Sequence, residues 1–510
     1  MKTLEKTFLL IKSLSDFEKK QFKKQFKNVK DESVFKDLFE KLDVNVELNE
    51  NKISVDENDK IIRQFYDFLL EFLEKYRACD PIEERVDKVI AQAKVLFERG
   101  LYDESFNILN DAYNTANKYE MYLKIAEICD LELLLIPKIY TKDLQHNYDL
   151  SVSKKKDALE KDISQTNYYK LGYQISNFYT QNLTLKNEQY IKEIDALMHV
   201  DILKNKDFAT TFYSRFYYYV CHQLYAILKG KDSSQIKEEH IQHWESHPFM
   251  IEKNQAQYFN ILSTYMYSCL DKNEYETYLS CLQKASKINM YSESDKINFI
   301  FRFYKNKYIF LLKQGNVTRL IQESEDAVKK LNLVYKYPYN YARIYTGMEF
   351  SLCLAYFLAG ENKKVRKYIS KIINNVQGKN EQFQFLIYSL RLLQLMVAYE
   401  AKDFTFLADL IKTNRQYLER HDALSHLTVI FINYLKKILA AYEEKEKINY
   451  FIDLKKELNE KAKPVDIFSV FGFDVITWLD SKIENKSMEE IIKNKAMLEY
   501  PQILTIELPV

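Results

Sequence analysis

The chain has 510 residues, with 74 Lys and Arg against 73 Asp and Glu, a formal net charge of +1, and only 8 Gly and 7 Pro. That balance excludes a uniformly basic nucleic-acid binder, though not a local basic patch. Glycine at about a fifth of its usual frequency argues against Rossmann, flavodoxin-like and barrel enzymes, whose tight turns consume it.

The first residues, Met1 to Leu14, lack the apolar run and small-residue cleavage site of a signal peptide. No segment supplies about 18 uncharged apolar residues, so no membrane span is expected and the cytoplasm is the default location. Ser15-Asp16-Phe17-Glu18 has the form of a capping box. The helix after it places Phe17, Phe22 and Phe26 among Lys19, Lys20, Lys23, Lys24 and Lys27. A short helix follows over residues 34–42, then a polar loop over 43–59. Next comes a helix from Ile61 to Tyr76 with the stripe Ile61, Phe65, Phe68, Leu69, Phe72 and Leu73. Asp80-Pro81 closes this N-terminal unit, residues 1–79, which reads as a small helical domain or an atypical cap.

Residues 85–99 carry Val86, Val89, Ile90, Ala93, Leu96 and Phe97 at helical spacing, and Gly100 stops them. A second stripe with Phe106, Ile108, Leu109 and Ala112 follows at once, so two helices are joined by a very short turn. The same break recurs at Gly230, Asn273, Gly315, Gly360 and Lys402, with further breaks expected near Lys142, Glu188 and Glu443. A period of about 43 residues is the signature of a helical array. At Ala462-Lys463-Pro464 the pattern ends. The apolar stretch Val465, Phe468, Phe471, Phe473, Val475, Ile476, Trp478 and Leu479 reads as a cap docking on the last repeat, followed by an extended tail. The expected division is therefore 1–79, a repeat array over 80–462, and a C-terminal cap and tail over 463–510.

Ala93, Gly100, Tyr102, Ser105 and Ala112 in one unit, Asn273, Tyr275 and Ala285 in another, and Gly315 and Ala327 in a third resemble the tetratricopeptide-repeat pattern. Departures are Tyr278 and Asn414 at sites where a small residue belongs and Val317 in place of an aromatic; Phe404 supplies the aromatic in its own unit. The units are also longer than the family's standard length. The resemblance covers about residues 82–462. It implies an all-α, right-handed solenoid of antiparallel helical hairpins, a TPR-like superhelix. Long repeats of this kind occur in cytoplasmic peptide-sensing regulators, which the chain resembles only in period.

For chemistry, His240, His243 and His247 share one helical face, as zinc ligands would. The spacing is not HExxH and Pro248 interrupts the helix after His247, so no metal is expected. Cys79, Cys129, Cys221, Cys269, Cys281 and Cys353 lie far apart and read as buried reduced thiols. Cys221 and His222 are neighbours, but adjacent residues on a helix point about 100° apart, so they form no nucleophile pair, and no nucleotide, kinase or hydrolase motif is present. A non-catalytic protein without cofactor is expected.

Aromatic and arginine residues of the first helices are the candidates for contact with a protein or peptide: Arg215, Tyr219, Tyr265, Arg302, Tyr304, Arg343 and Tyr345. Such side chains dominate binding hot spots, and the resemblance places first helices on the inner surface of the array. The expected role is a cytoplasmic scaffold or adaptor that binds a protein or peptide in its concave surface. The alternative is a ligand- or peptide-responsive regulator whose N-terminal lysine-rich helix acts on nucleic acid or a partner.

Overall fold

The computed structural model describes residues 3–14, 16–26, 32–44, 59–75, 82–139, 143–182, 188–290, 292–334, 342–376, 383–421, 424–461 and 474–495. Among them are 25 α-helices and no strand. The chain divides into two compact units, one drawn from Met1–Tyr76 and Ser292–Glu507, the other from Arg77–Tyr291. This is an all-α protein of sequentially packed helices, a helical-repeat arrangement in the general sense.

The discontinuous unit opens with α1 (Thr3–Ser13), α2 (Asp16–Gln25), α3 (Glu32–Val44) and α4 (Asp59–Lys75). Their core centres on Phe22, whose ring lies 4.9 to 6.0 Å from those of Phe26, Phe39, Phe65, Phe68 and Phe72. The apolar stripe of α4 and the phenylalanines between the lysines of α2 thus bury one another. Lys19 pairs with Asp43 at 2.5 Å, and Lys23 lies over the Phe39 ring. Phe22 and Phe26 of this lysine-rich segment therefore turn inward, while the side chain of Phe17 lies outside the described residues. Ser15 of the expected capping box lies outside the described residues.

The central unit contains α5 (Ile82–Glu98), α6 (Tyr102–Lys118), α7 (Tyr122–Leu135), α8 (Leu144–Asn182), α9 (Glu188–Met198), α10 (Asp201–Lys204), α11 (Phe212–Leu228), α12 (Ser234–Glu245), α13 (Pro248–Lys253), α14 (Gln255–Asp271) and α15 (Tyr275–Ala285). The discontinuous unit then resumes with α16 (Glu293–Lys313), α17 (Val317–Val334), α18 (Ala342–Leu358), α19 (Asn362–Val376), α20 (Gln384–Glu400), α21 (Phe404–Arg420), α22 (His426–Ala440) and α23 (Glu444–Lys461). It ends with α24 (Val475–Ile483) and α25 (Met488–Lys495). Consecutive helices pack on one another from α5 to α8 and from α16 to α25, and α5 also meets α7 as α16 meets α18.

The short turns share one backbone device. Gly100, Gly230, Asn273, Gly315, Gly360 and Lys402 all have positive φ, between 56° and 76°. In each, the next residue's N–H reaches back to the carbonyl five positions earlier, as from Leu101 to Leu96 at 2.9 Å and Asp403 to Ala398 at 3.2 Å. This satisfies a carbonyl that the helix end would otherwise leave bare. Two further turns of the same form, at Glu120 and Asn485, join α6 to α7 and α24 to α25.

The even period fails in the central unit. Where a break pair near Lys142 and Glu188 predicts two helices, one helix of 39 residues, α8, fills the space. Lys142 itself lies outside the described residues. Gly172, within α8, is no stop: a Cβ there would stand 2.8 Å from Cδ1 of Tyr217, so the glycine lets α11 approach α8 closely. Near Glu443 the turn is extended instead, with Ala441 at ψ 134°.

Gly315 carries a second constraint. Besides its φ of 70°, a Cβ there would lie 2.8 Å from the Lys493 Cα of α25. At Gly100, Gly230 and Gly360 the same Cβ meets open space. Alanine at those three should cost about 1 kcal/mol in left-handed strain alone. Gly315→Ala should cost roughly 2 to 4 kcal/mol, because backbone must also move. Denaturant unfolding of the four variants checks this order, and a Gly315→Ala loss equal to that of Gly360→Ala would refute the close approach.

Candidate functional site

The aromatic run of α11 and the histidines of α12 build one cluster. Thr211 caps α11 by accepting the Ser214 N–H at 3.1 Å. The Glu120 carboxylate, held in its left-handed turn, accepts the Phe212 N–H with both oxygens at 2.9 Å. A carboxylate at a helix N-terminus meets unpaired N–H groups and the positive end of the dipole. Burial nevertheless raises the Glu120 pKa, the hydrogen bonds from Phe212 and Tyr122 opposing it. From this anchored start, Phe212, Phe216 and Tyr219 face α12 and are buried. His243 stacks on Phe212 at 4.6 Å and His240 on Tyr219 at 5.2 Å, with Trp244 edge-on to Phe212.

The histidines are therefore packed and bonded within the protein. Nδ1 of the fully buried His240 lies 2.9 Å from Nε2 of Gln223. Nε2 of His243 lies 3.0 Å from the Phe212 carbonyl, and Nδ1 of His247 2.8 Å from the His243 carbonyl. His240 faces inward rather than to solvent because α11 supplies a flat aromatic wall of Phe216 and Tyr219. Among the described residues, no group of three or more His, Cys, Asp or Glu is placed to hold a metal ion, and no helix is long and apolar enough to cross a membrane. Cys129, Cys221, Cys269, Cys281 and Cys353 are buried free thiols, and Cys79 lies outside the described residues.

The other candidates separate into buried and exposed groups. Arg215 is half-buried and donates from Nε to the Ala209 carbonyl at 3.0 Å. Tyr265 is buried in α14. Tyr304 is buried and donates to Asp326 of α17, with Lys330 5.7 Å from its ring. Tyr345 is half-buried on α18, 6.0 Å beneath Lys371. Arg302 is exposed on α16, whereas the side chain of Arg343 lies outside the described residues. Tyr219, Tyr265 and Tyr304 thus serve packing between neighbouring helices, and Arg302 remains on a surface.

Sequence reasoning missed a second arrangement, at the C-terminal helices. Trp478 of α24 is fully buried, 5.5 Å from Phe451, 5.8 Å from Tyr399 and 6.1 Å from Phe431. Its indole Nε1 donates to Glu400 at 2.6 Å, and Lys482, one turn further on, reaches the same carboxylate at 2.6 to 2.8 Å. Asp480, nearly buried, takes Lys455 on one oxygen and Lys495 on the other, each at 2.6 Å. Burial opposes its ionisation, but hydrogen bonds from Lys455 and Lys495 outweigh this and hold its pKa below the usual carboxylate value. The i, i+4 spacing of Trp478 and Lys482 was the available signal; Glu400 carried none.

No protein-family model matches the chain, nor does any curated protein or solved structure.

Burial lowers the pKa of His240 from 6.5 to about 3, and that of His243 to about 4, with the Phe212 carbonyl opposing the second shift. Each imidazole is neutral in the fold and gains a proton on unfolding below pH 6.5, so unfolding is favoured there. Their contribution is complete above pH 6.5 and is lost as pH falls towards 4. The central unit should lose about 2 kcal/mol or more between pH 6.5 and 4.5. His240→Asn combined with His243→Gln retains the bonded nitrogens and removes the titration. Denaturant unfolding at each pH should show a flatter slope for that variant, and an unchanged slope would assign the acid sensitivity elsewhere.

Proposed function

We propose that the chain is a non-catalytic scaffold or adaptor of the tetratricopeptide-repeat type, binding a protein or peptide on the surface made by alternate helices of its array. The observation that supports this most directly is the sequential packing of α16 to α23, with left-handed turns of one form at Gly315, Gly360 and Lys402. Stacked helices repeat one face at regular intervals, which creates a long surface rather than a single pocket. In this reading each helix and its successor form an antiparallel hairpin within a right-handed superhelix. First helices α16, α18, α20 and α22 line the binding side, in the cytoplasm.

Arg302 and Tyr345 are the retained contact candidates on this side. Arginine and tyrosine give large contact area with directional hydrogen bonds when water is excluded. Deleting residues 1–58 would not test the N-terminal helices cleanly. It strips the cover from Phe65, Leu69 and Phe72, which share a core with Phe22 and Phe39. Affinity capture from the native cytoplasm, followed by titration of the captured partner, is the direct test. Arg302→Ala should weaken binding by about 1 to 3 kcal/mol with unchanged thermal unfolding. Full affinity in that variant would remove α16 from the interface.

A further inference from the structure

Helices α24 and α25 form a module in which three helix ends, both of α24 and the first of α25, are capped from within. Asp474 caps α24 by accepting the N–H groups of Ile476 at 3.0 Å and Thr477 at 3.2 Å. Asn485, at φ 51°, reverses the chain, and the Lys486 N–H closes on the Ser481 carbonyl at 3.0 Å. Ser487 and Glu490 then form a reciprocal capping box at the start of α25, with bonds of 3.2 and 2.8 Å. None of these caps uses a residue outside the module.

What the module takes from the rest of its unit is different in kind. One tryptophan enters an aromatic pocket of Tyr399, Phe431 and Phe451. Glu400 receives both the indole N–H and Lys482, and Lys455 reaches Asp480. At the far end, Lys493 sits against Gly315. The helices touched are α20, α22 and α23 at one end and the α16–α17 turn at the other. A terminal cap has only to cover the last pair of an array. This one spans from the last pair back to the first.

We propose that α24–α25 is an intramolecular occupant of the peptide surface of this unit, displaced by a partner that is an amphipathic helix presenting a tryptophan and a lysine one turn apart. The proposal rests on the reading that the stacked helices bind peptide, and it names the chemistry bound. An apolar helix face lies in a groove, an aromatic fills the central pocket, and a shared carboxylate fixes the register through a neutral donor and a cation. Tethering gives the module an effective concentration in the millimolar range, so a free helix competes only when its contacts are better or those of the tethered copy are weakened.

The test uses the full chain and a fluorescent, N-acetylated peptide of residues 474–495, followed by anisotropy. The wild-type chain should bind the peptide weakly. Lys482→Glu repels its own module from Glu400 while leaving the surface intact, and should bind the wild-type peptide at least about 10-fold tighter. Glu400→Lys should refuse that peptide and accept one carrying Lys482→Glu. Hydrogen exchange should show Lys482→Glu losing protection in residues 474–495 alone. Loss of protection throughout the unit, or a folded Lys482→Glu chain that binds no better than wild type, would make the module an inseparable part of the core and overturn the proposal. Peptide binding together with no Arg302-dependent partner would keep the occupant and remove the scaffold reading.

Discussion

A helix reversed within two or three residues needs one residue in the left-handed region, and the order of this chain follows from where that residue falls. Among the described residues, four glycines sit there. The other described turns of this form use Asn273 and Asn485, which tolerate that conformation, and Glu120 and Lys402, which do not tolerate it readily. Glu120 returns the strain as a cap on α11. For Lys402 the structure offers no compensating contact. Between turns the helices need only apolar stripes, which explains how so little glycine suffices.

Helices joined in this way could slide by a turn if only apolar side chains met. Buried polar pairs oppose that. Tyr304 donates to Asp326, Lys307 meets Glu323 at 2.7 Å, Lys371 meets the buried Glu349 at 2.5 Å, and Arg391 exchanges hydrogen bonds with the buried Asn414 at 2.8 to 3.0 Å. The chemistry differs from one helix pair to the next, so a shifted or exchanged helix would bury a charge without its partner. Breaking the buried Lys307–Glu323 pair from one side costs about 3 to 5 kcal/mol. Asn414 and Tyr278 also show how a large residue fits where the repeat pattern wants a small one. Asn414 is held by its hydrogen bonds with Arg391, and Tyr278 is fully buried.

The turns were legible because glycine and asparagine mark them, and because Lys402 falls in step with its neighbours. Glu120 was not, since glutamate has no turn preference and its role depends on a helix start 92 residues away. The length of α8 was hidden because the even period called for two helices between Lys142 and Glu188, where one helix runs on and Gly172 serves the approach of Tyr217. The burial of Val475, Trp478 and Leu479 followed from their hydropathy. The reach of their helices to Glu400 and Gly315 did not, because both partners are distant in sequence. The tyrosines were ambiguous for a physical reason. A ring that bridges two helices and one that awaits a ligand have the same composition, and only the neighbouring Asp326 or His240 separates them.

The chain has two tryptophans, Trp244 and Trp478, each fully buried and each in a different unit. Their surroundings differ. Trp244 is flanked by Phe212 and Tyr258, with no hydrogen bond on its indole nitrogen, while the nitrogen of Trp478 donates to a carboxylate. The protein thus contains two intrinsic fluorophores in unlike surroundings, one per unit. Replacing either with phenylalanine leaves a single unlabelled reporter on the unit that keeps its tryptophan.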